Sequence, residues 1–509
     1  MDQTRPHGRR TRKAGQRPAP QRAPYLTRRL GTFNVLSDEG LELIEANADR
    51  ILAETGMEFR DDPEALAHFR AAGCEVTGER VRFAPGFCRA TIRASAPAEF
   101  PQHARNPANT VQIGGAASVL CPSWGPPFVH DLDRGRRYAT YDDFTTLVKL
   151  HHTLPWLHHS GGVVCEPVDL PAPRRHLDML YAHIRWSDRP FMGAFIGAER
   201  AGHALDMARI LFGAEFVAEN PVLYCVSNTN APLVMDAHMS GALRSYARAG
   251  QPVACTPWVL TGAMSPTTVA GTLAQVLAEA LAALCLVQLV RPGAPCLMGS
   301  FASTMSMQTG APTFGTPEAG LMVLAAGQLA RRLGVPLHTV GTLSSSKLPD
   351  GQSQQEAAWG LMMSLFAGAH VINHATGWLE GGLVTSFEKT ILDHDLCGKL
   401  ARFFEGIDLS ENAQAMDAIA ETGPGRHFLG SEHTQANFLS ALFRPWAADD
   451  SAFEQWQAAG SEDAATRANR IWKERLAAYE DPGLDPGVDA ELQDYIARTK
   501  AGLSDKDYF

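Results

Sequence analysis

Between residues 155 and 375 short apolar runs alternate with long stretches of helical periodicity. The runs are "LHHSGGVV" (157–164), "PFMGAFIG" (190–197), "PVLYCVS" (221–227), "PVACTPWVL" (252–260), "APCLMGSF" (294–301), "LHTVG" (337–341) and "AHVIN" (369–373). Each is strand length, and the helical stretches between them supply the crossovers that parallel strands require. Seven strands are predicted this way, and an eighth near "GGLVTSF" (381–387) would close a barrel. The expected fold class is therefore α/β, a (β/α)8 TIM barrel with an N-terminal helical cap and a C-terminal helical extension.

Outside the alternation the pattern changes. Leu41, Ile44, Ala48, Ile51 and Leu52 have helical spacing within residues 37–69, which predicts the cap. Residues 110–131 alternate with Gly and Pro punctuation and read as a hairpin excursion ahead of the barrel. Helix starts are expected at Ser265-Pro266, Thr316-Pro317-Glu318 and Pro349-Asp350. The domain reading is a disordered basic arm over 1–34, cap and excursion over 35–131, a catalytic barrel over 132–445 and ancillary helices over 446–509.

Charge sharpens the ends of that division. Residues 1–30 hold nine Lys/Arg and one acid, which leaves 36 basic against 54 acidic residues in the remainder, near −18. A body so acidic argues against nucleic acid as the main ligand. The most apolar long stretch, 272–290, is interrupted by Gln275, Glu279 and Gln288 and reads as a buried helix, so no membrane span is expected. Nine cysteines form no CxxC pair and lie mostly in apolar runs, as reduced core thiols do. With no apolar leader behind the N-terminal charges, a cytoplasmic location is expected.

Conventional catalytic signatures are missing. The cluster His151, His152, His158 and His159 has no HExxH or CxxC companion, and no metal site is expected from it. GxSxG, Walker A and GxGxxG patterns are absent as well. The predicted strand ends instead carry aromatic, amide and Met-rich segments: "SNTNAP" (227–232), "TPWVLTGAMSP" (256–266), "GSFASTMSMQTGAPTFGTPE" (299–318) and "NHATGWLEGG" (373–382). Such linings suit a methylated cation, which has no N–H to donate and is held by aromatic faces, although for any single ring core packing is the commoner role.

The runs "TPWVLTGAMSPTTVAGTLAQ", "LVRPGAPCLMGSF", "GAPTFGTPE", "GQLARRLGVP", "SSSKLPDGQSQQEA" and "HATGWLEGGLVTSFEK" occur in this order, and over residues 35–445 the chain resembles the trimethylamine methyltransferase family. That resemblance implies a barrel whose mouth receives a separate corrinoid protein, so that no cofactor is tightly bound to this chain and cobalamin is supplied by the partner. Trimethylamine-specific members carry pyrrolysine in the pocket; this sequence has none, and the corresponding position falls in "GTLSSSK", near Leu343. A tertiary amine must be protonated or held by an electrophile before its methyl leaves. A quaternary ammonium already has a neutral amine as its leaving group, so the expected substrate is glycine betaine or a related betaine.

His374 and Lys347 are the catalytic candidates, His374 to hydrogen-bond a carboxylate or the corrinoid and Lys347 as a mobile cation for a carboxylate. Phe195, Trp258, Phe301 and Phe314 are the cage candidates, joined by Trp124 from the excursion; Gln308, Gln352, Glu356 and Asn373 flank the mouth. A homo-oligomer is expected. The rival reading is a non-catalytic sensor that kept the pocket and lost the partner.

Overall fold

The computed structural model describes residues 23–503; the basic arm expected over 1–34 lies mostly outside the described residues. At its centre is a curled sheet of parallel strands in a mixed α/β fold. In spatial order these are Ala117–Leu120, Val371–Asn373, Leu337–Val340, Cys296–Gly299, Val253–Thr261, Leu223–Thr229 and Phe191–Met192. Six of the seven runs expected to be strands are in this sheet.

The seventh run, 157–164, forms no named strand, yet its backbone bonds to both edges of the sheet. His158 N–H donates to the Leu120 carbonyl at 3.0 Å, Ser160 N–H to Pro190 at 2.8 Å, and Met192 N–H to the Gly161 carbonyl at 2.9 Å. Glycines at 161 and 162 and two neighbouring histidine rings that accept backbone N–H groups draw the segment out of regular pleat.

The strand expected near "GGLVTSF" is not in this sheet. Val384–Ser386 pairs with Phe128–Asp131 in a separate four-stranded sheet, and the parallel sheet instead takes Ala117–Leu120, from the region read as an excursion. Period-2 alternation alone does not say which sheet a strand joins. The C-terminal ends of the parallel strands face the loops that carry the aromatic segments.

Helices cover the outside. Val269–Val290 is apolar all round because it is buried all round: Asp38–Arg50, Pro63–Ala71 and Phe87–Ser95 from the N-terminal region pack against it. Among the described residues it is the one helix long and apolar enough to cross a membrane, and 89% of its most apolar window is buried in the protein. Helix starts follow the sequence signals at two of three places. Thr316 caps Pro317–Leu333 and Asp350 caps Gly351–Ala367, but the third helix starts at Val269 behind Thr268, with Ser265-Pro266 in the preceding turn. Ala464–Ala477 packs along Phe387–Phe404.

Residues 407–443 form a unit of their own, with short helices at Glu411–Gln414, Met416–Thr422 and Glu432–Asn437. Asn412 ties it internally, accepting from His433 at 2.7 Å and donating to Asn437 at 2.9 Å.

Candidate active site

At the C-terminal ends of the parallel strands lies a cavity of about 300 Å³. Its deeper lining follows strand parity. Val226 and Asn228, Thr256 and Trp258, and His338 and Val340 are each two residues apart, so they point to the same side of their strands. Asn373 ends its strand in register with Val340. Gly299 is part of the same construction, because a Cβ there would stand 2.1 Å from Thr256 Oγ1. That space is what lets the Thr256 hydroxyl reach His338 Nδ1 at 3.0 Å.

Above this layer stand the rings. Trp258 pairs in register with Phe301, their centroids 6.2 Å apart; Phe301 is 5.9 Å from Trp378, and Trp124 meets Phe195 at 4.8 Å. Trp258, 36% exposed, marks the mouth. Among the described residues, no Lys, Arg, Asp or Glu lines the cavity.

His374 joins the loops around it. Its backbone is left-handed, φ 54°, and is clamped there by three hydrogen bonds. Its N–H donates to the Pro122 carbonyl, and its carbonyl accepts from Thr342 N–H at 2.7 Å and Thr342 Oγ1 at 2.9 Å. A non-glycine residue in that conformation costs energy that the surroundings must supply, as residues at functional sites often do. The ring Nδ1 accepts the Trp124 N–H at 3.2 Å, which assigns the proton to Nε2. Burial, with His338 nearby, holds His374 down to about 3; burial likewise holds His338 at about 3, partly offset by the Asn373 amide. Both rings are neutral at physiological pH.

A buried ion pair lies beneath these loops. Lys389 Nζ donates to Asp393 Oδ2 at 2.6 Å and to the Thr342 carbonyl at 3.1 Å; Asp393 also accepts from Gly377 N–H and Gln354 Nε2, and the single proton of Thr342 Oγ1 is shared between Asp393 and the His374 carbonyl. Burial pushes Lys389 down and Asp393 up, while their mutual attraction opposes both. The pair thereby links the loop carrying Leu343 to the one carrying His374 and Trp378.

Of the residues singled out in the sequence, Trp124, Phe195, Trp258, Phe301, Asn373 and His374 line this cavity. Phe314 and Glu356 line a smaller one of about 50 Å³ behind it, where Phe314 packs on Trp378 at 5.2 Å and Glu356 accepts from Ser344 Oγ and Ser345 N–H. Leu343 shares the apolar cluster of Phe314 and Trp378. Gln308 and Lys347 are exposed and line neither cavity; Lys347 Nζ bonds the Ser345 carbonyl of its own loop. Gln352 is also exposed and donates to Glu356. The histidines at 151–159 serve separate places: His158 and His159 accept backbone N–H groups, and His151 is buried on its helix. No group of three potential metal ligands occurs among the described residues.

A family model described as trimethylamine methyltransferase matches residues 4–504. The chain belongs to the trimethylamine methyltransferase family. A glycine betaine methyltransferase of Desulfitobacterium hafniense (strain Y51) is 40% identical over 470 residues, covering 92% of this chain and 98% of that one. The trimethylamine methyltransferase MttB2 of Methanosarcina mazei is 27% identical over 486 residues, covering 91% and 94%. Among solved structures, the monomethylamine methyltransferase of Methanosarcina barkeri matches over 89% of this chain and 96% of that one, at 12% identity and a TM-score of 0.47. The resemblance read from the ordered motifs is therefore a family relationship. Missed in the sequence were Trp378, His338, Thr256 and Asn228; each sits inside a quoted run, and strand parity once one inward residue is placed would have found the last three.

Proposed function

We propose that this protein moves a methyl group from a quaternary amine, a betaine, to the reduced corrinoid of a partner protein. The carrying observation is a cavity ringed by Trp124, Phe195, Trp258, Phe301 and Trp378 and, among the described residues, lined by no ionised side chain. Aromatic faces attract a cation at about 0.5–2 kcal/mol each and ask nothing of it in hydrogen bonds. Family membership, and the relative named as a glycine betaine methyltransferase, support the same reading.

The residues present fit an acceptor brought from outside, because among the described residues the cavity lining offers no thiol, amine or carboxylate nucleophile. When docked, the corrinoid supplies the cobalt nucleophile that takes the methyl group. This chain's part is to hold the ammonium among the rings, exclude water and fix the direction of one methyl. The departing amine leaves neutral, so no acid need protonate it, consistent with two histidines held neutral by burial. His374, as an Nε2–H donor, orients the substrate or the docked corrinoid. Lys347, Gln308 and Gln352 belong to the surface around the mouth.

The same reading includes a closed (β/α)8 barrel, with 158–161 as the strand between Ala117–Leu120 and Phe191–Met192; the three backbone bonds of that segment support it. The catalytic domain then begins near residue 117, the cap precedes it, and 446–509 remain ancillary. Nine free cysteines accord with a cytoplasmic location, and exposed Ile407, Leu409 and Leu429 with a homo-oligomer. Incubation of the chain with glycine betaine and a reduced corrinoid protein should yield dimethylglycine by mass spectrometry. Unchanged betaine, with every betaine tried, would reject the reading.

A further inference from the structure

The cavity is polar at its floor and aromatic at its rim, and the two halves call for different parts of one ligand. Thr256 and His338 lie two residues deeper along their strands than Trp258 and Val340. Asn373, in register with Val340, turns its amide toward His338. His338 and Asn373 are each 1% exposed, yet His338 Nε2 and both amide atoms of Asn373 lack a well-formed hydrogen bond. Buried polar atoms are almost always satisfied, so unmet ones lining a cavity mark a place that a ligand or water completes. The Lys389 and Asp393 pair, by contrast, is fully bonded within the fold.

The unmet groups are mainly donors. The Thr256 hydroxyl meets His338 Nδ1, and the Asn373 amide oxygen faces the His338 ring, so the donors left toward the cavity are the two Asn373 N–H groups and the Nε2–H of His374. A ligand group that only accepts matches this set, and a carboxylate is such a group; a hydroxyl would leave donors unmet. Among the described residues no Lys or Arg lines the cavity to balance the charge, and none is needed if the ligand carries its own cation a few atoms away among the rings.

We infer that His338, Asn373 and Thr256 form a carboxylate subsite at the floor of the barrel, which selects betaines over quaternary amines without an acid and turns the methylated end toward the mouth. The inference rests on the proposed function for its ligand, the quaternary amine. It makes His338 and Asn373 specificity-determining residues.

Calorimetry on the full chain, with no corrinoid protein present, separates the two ends of the ligand. The probes are glycine betaine and tetramethylammonium, which keeps the cation and lacks the acid. Wild-type protein binds the betaine more tightly. Asn373→Leu and His338→Phe each weaken betaine binding roughly 10- to 100-fold, the size of a lost hydrogen bond to a charged group, and leave tetramethylammonium within twofold. Equal weakening for both probes, betaine binding unchanged in both variants, or a wild type that binds the two probes alike would each overturn the subsite. The wild-type comparison stands even if one variant fails to fold. Betaine bound with this selectivity but never demethylated would sink the proposed function and leave the subsite standing; demethylation without selectivity would do the reverse.

Discussion

Acidification should unfold this protein early, and the size of the effect follows from its buried histidines. His151, His159, His338, His374 and His394 are fully buried and held down to about 3, and His183 to about 4, in every case chiefly by burial. Their ordinary value, restored on unfolding, is 6.5. The folded state thus binds fewer protons than the unfolded state between about 6.5 and 3, so stability falls as pH falls through that window. Going from pH 7.5 to 5.5 costs about 1.3 kcal/mol for each such histidine, or about 8 kcal/mol for the six, since almost all of the protonation occurs in the unfolded chain. Glu166, Glu279, Asp393 and Asp395, raised by burial, work in the opposite direction, while His176 and His370, also held down chiefly by burial, add to the loss. A domain with about 5–15 kcal/mol in hand has little left after such a loss. Urea titrations at half-unit pH steps, followed by circular dichroism, measure it. His151, which has no hydrogen-bond partner at either ring nitrogen, offers the residue-level check. His151→Leu should lower the slope near pH 5.5 by about 1.2 kcal/mol per pH unit, close to one proton. Urea midpoints equal at pH 7.5 and 5.5 would refute the reasoning, as would an unchanged slope in the variant.

Other expectations are more local. Asp393→Ala strands the Lys389 ammonium and should cost about 3–5 kcal/mol, read as a lowered urea midpoint; a loss under 1 kcal/mol would mean the pair is not buried as described. Gly299→Ala drives a methyl into Thr256 Oγ1 and the Cys255 carbonyl, and should cost about 1–3 kcal/mol by thermal denaturation. Trp258→Ala should weaken betaine binding about 2- to 30-fold in calorimetry, whereas Lys347→Ala, outside the cavity, should stay within twofold.

The fold was legible where hydrophobic period and strand length agree, as in the runs at 221–227, 252–260 and 337–341. It misled where a strand's partner is decided by tertiary contacts. Val384–Ser386 has the apolar pattern of a closing strand but lies against Phe128–Asp131, while Ala117–Leu120, buried at all four residues, looked like part of a hairpin. The aromatic rim was legible because rings beside Gly and Pro at strand ends are conspicuous. The polar floor was not. His338 in "LHTV" reads as an interior histidine of an apolar strand, and only the parity shared with Val340, together with the gap left by Gly299, places it in the cavity. Lys347 is the reverse case: charge and loop position made it conspicuous in the sequence, while its exposed side chain bonds the Ser345 carbonyl of its own loop.

The central claim is a methyl transfer limited to quaternary amines, and the absorption of cobalt(I) cobalamin tests it most directly. With the chain, a reduced corrinoid protein and a betaine, the cobalt(I) band should disappear at a rate proportional to enzyme, and trimethylamine in place of the betaine should leave it unchanged. A stable cobalt(I) band with a betaine that calorimetry shows to be bound would contradict the account in favour of a sensor, and equal rates with trimethylamine would contradict the argument from the leaving group.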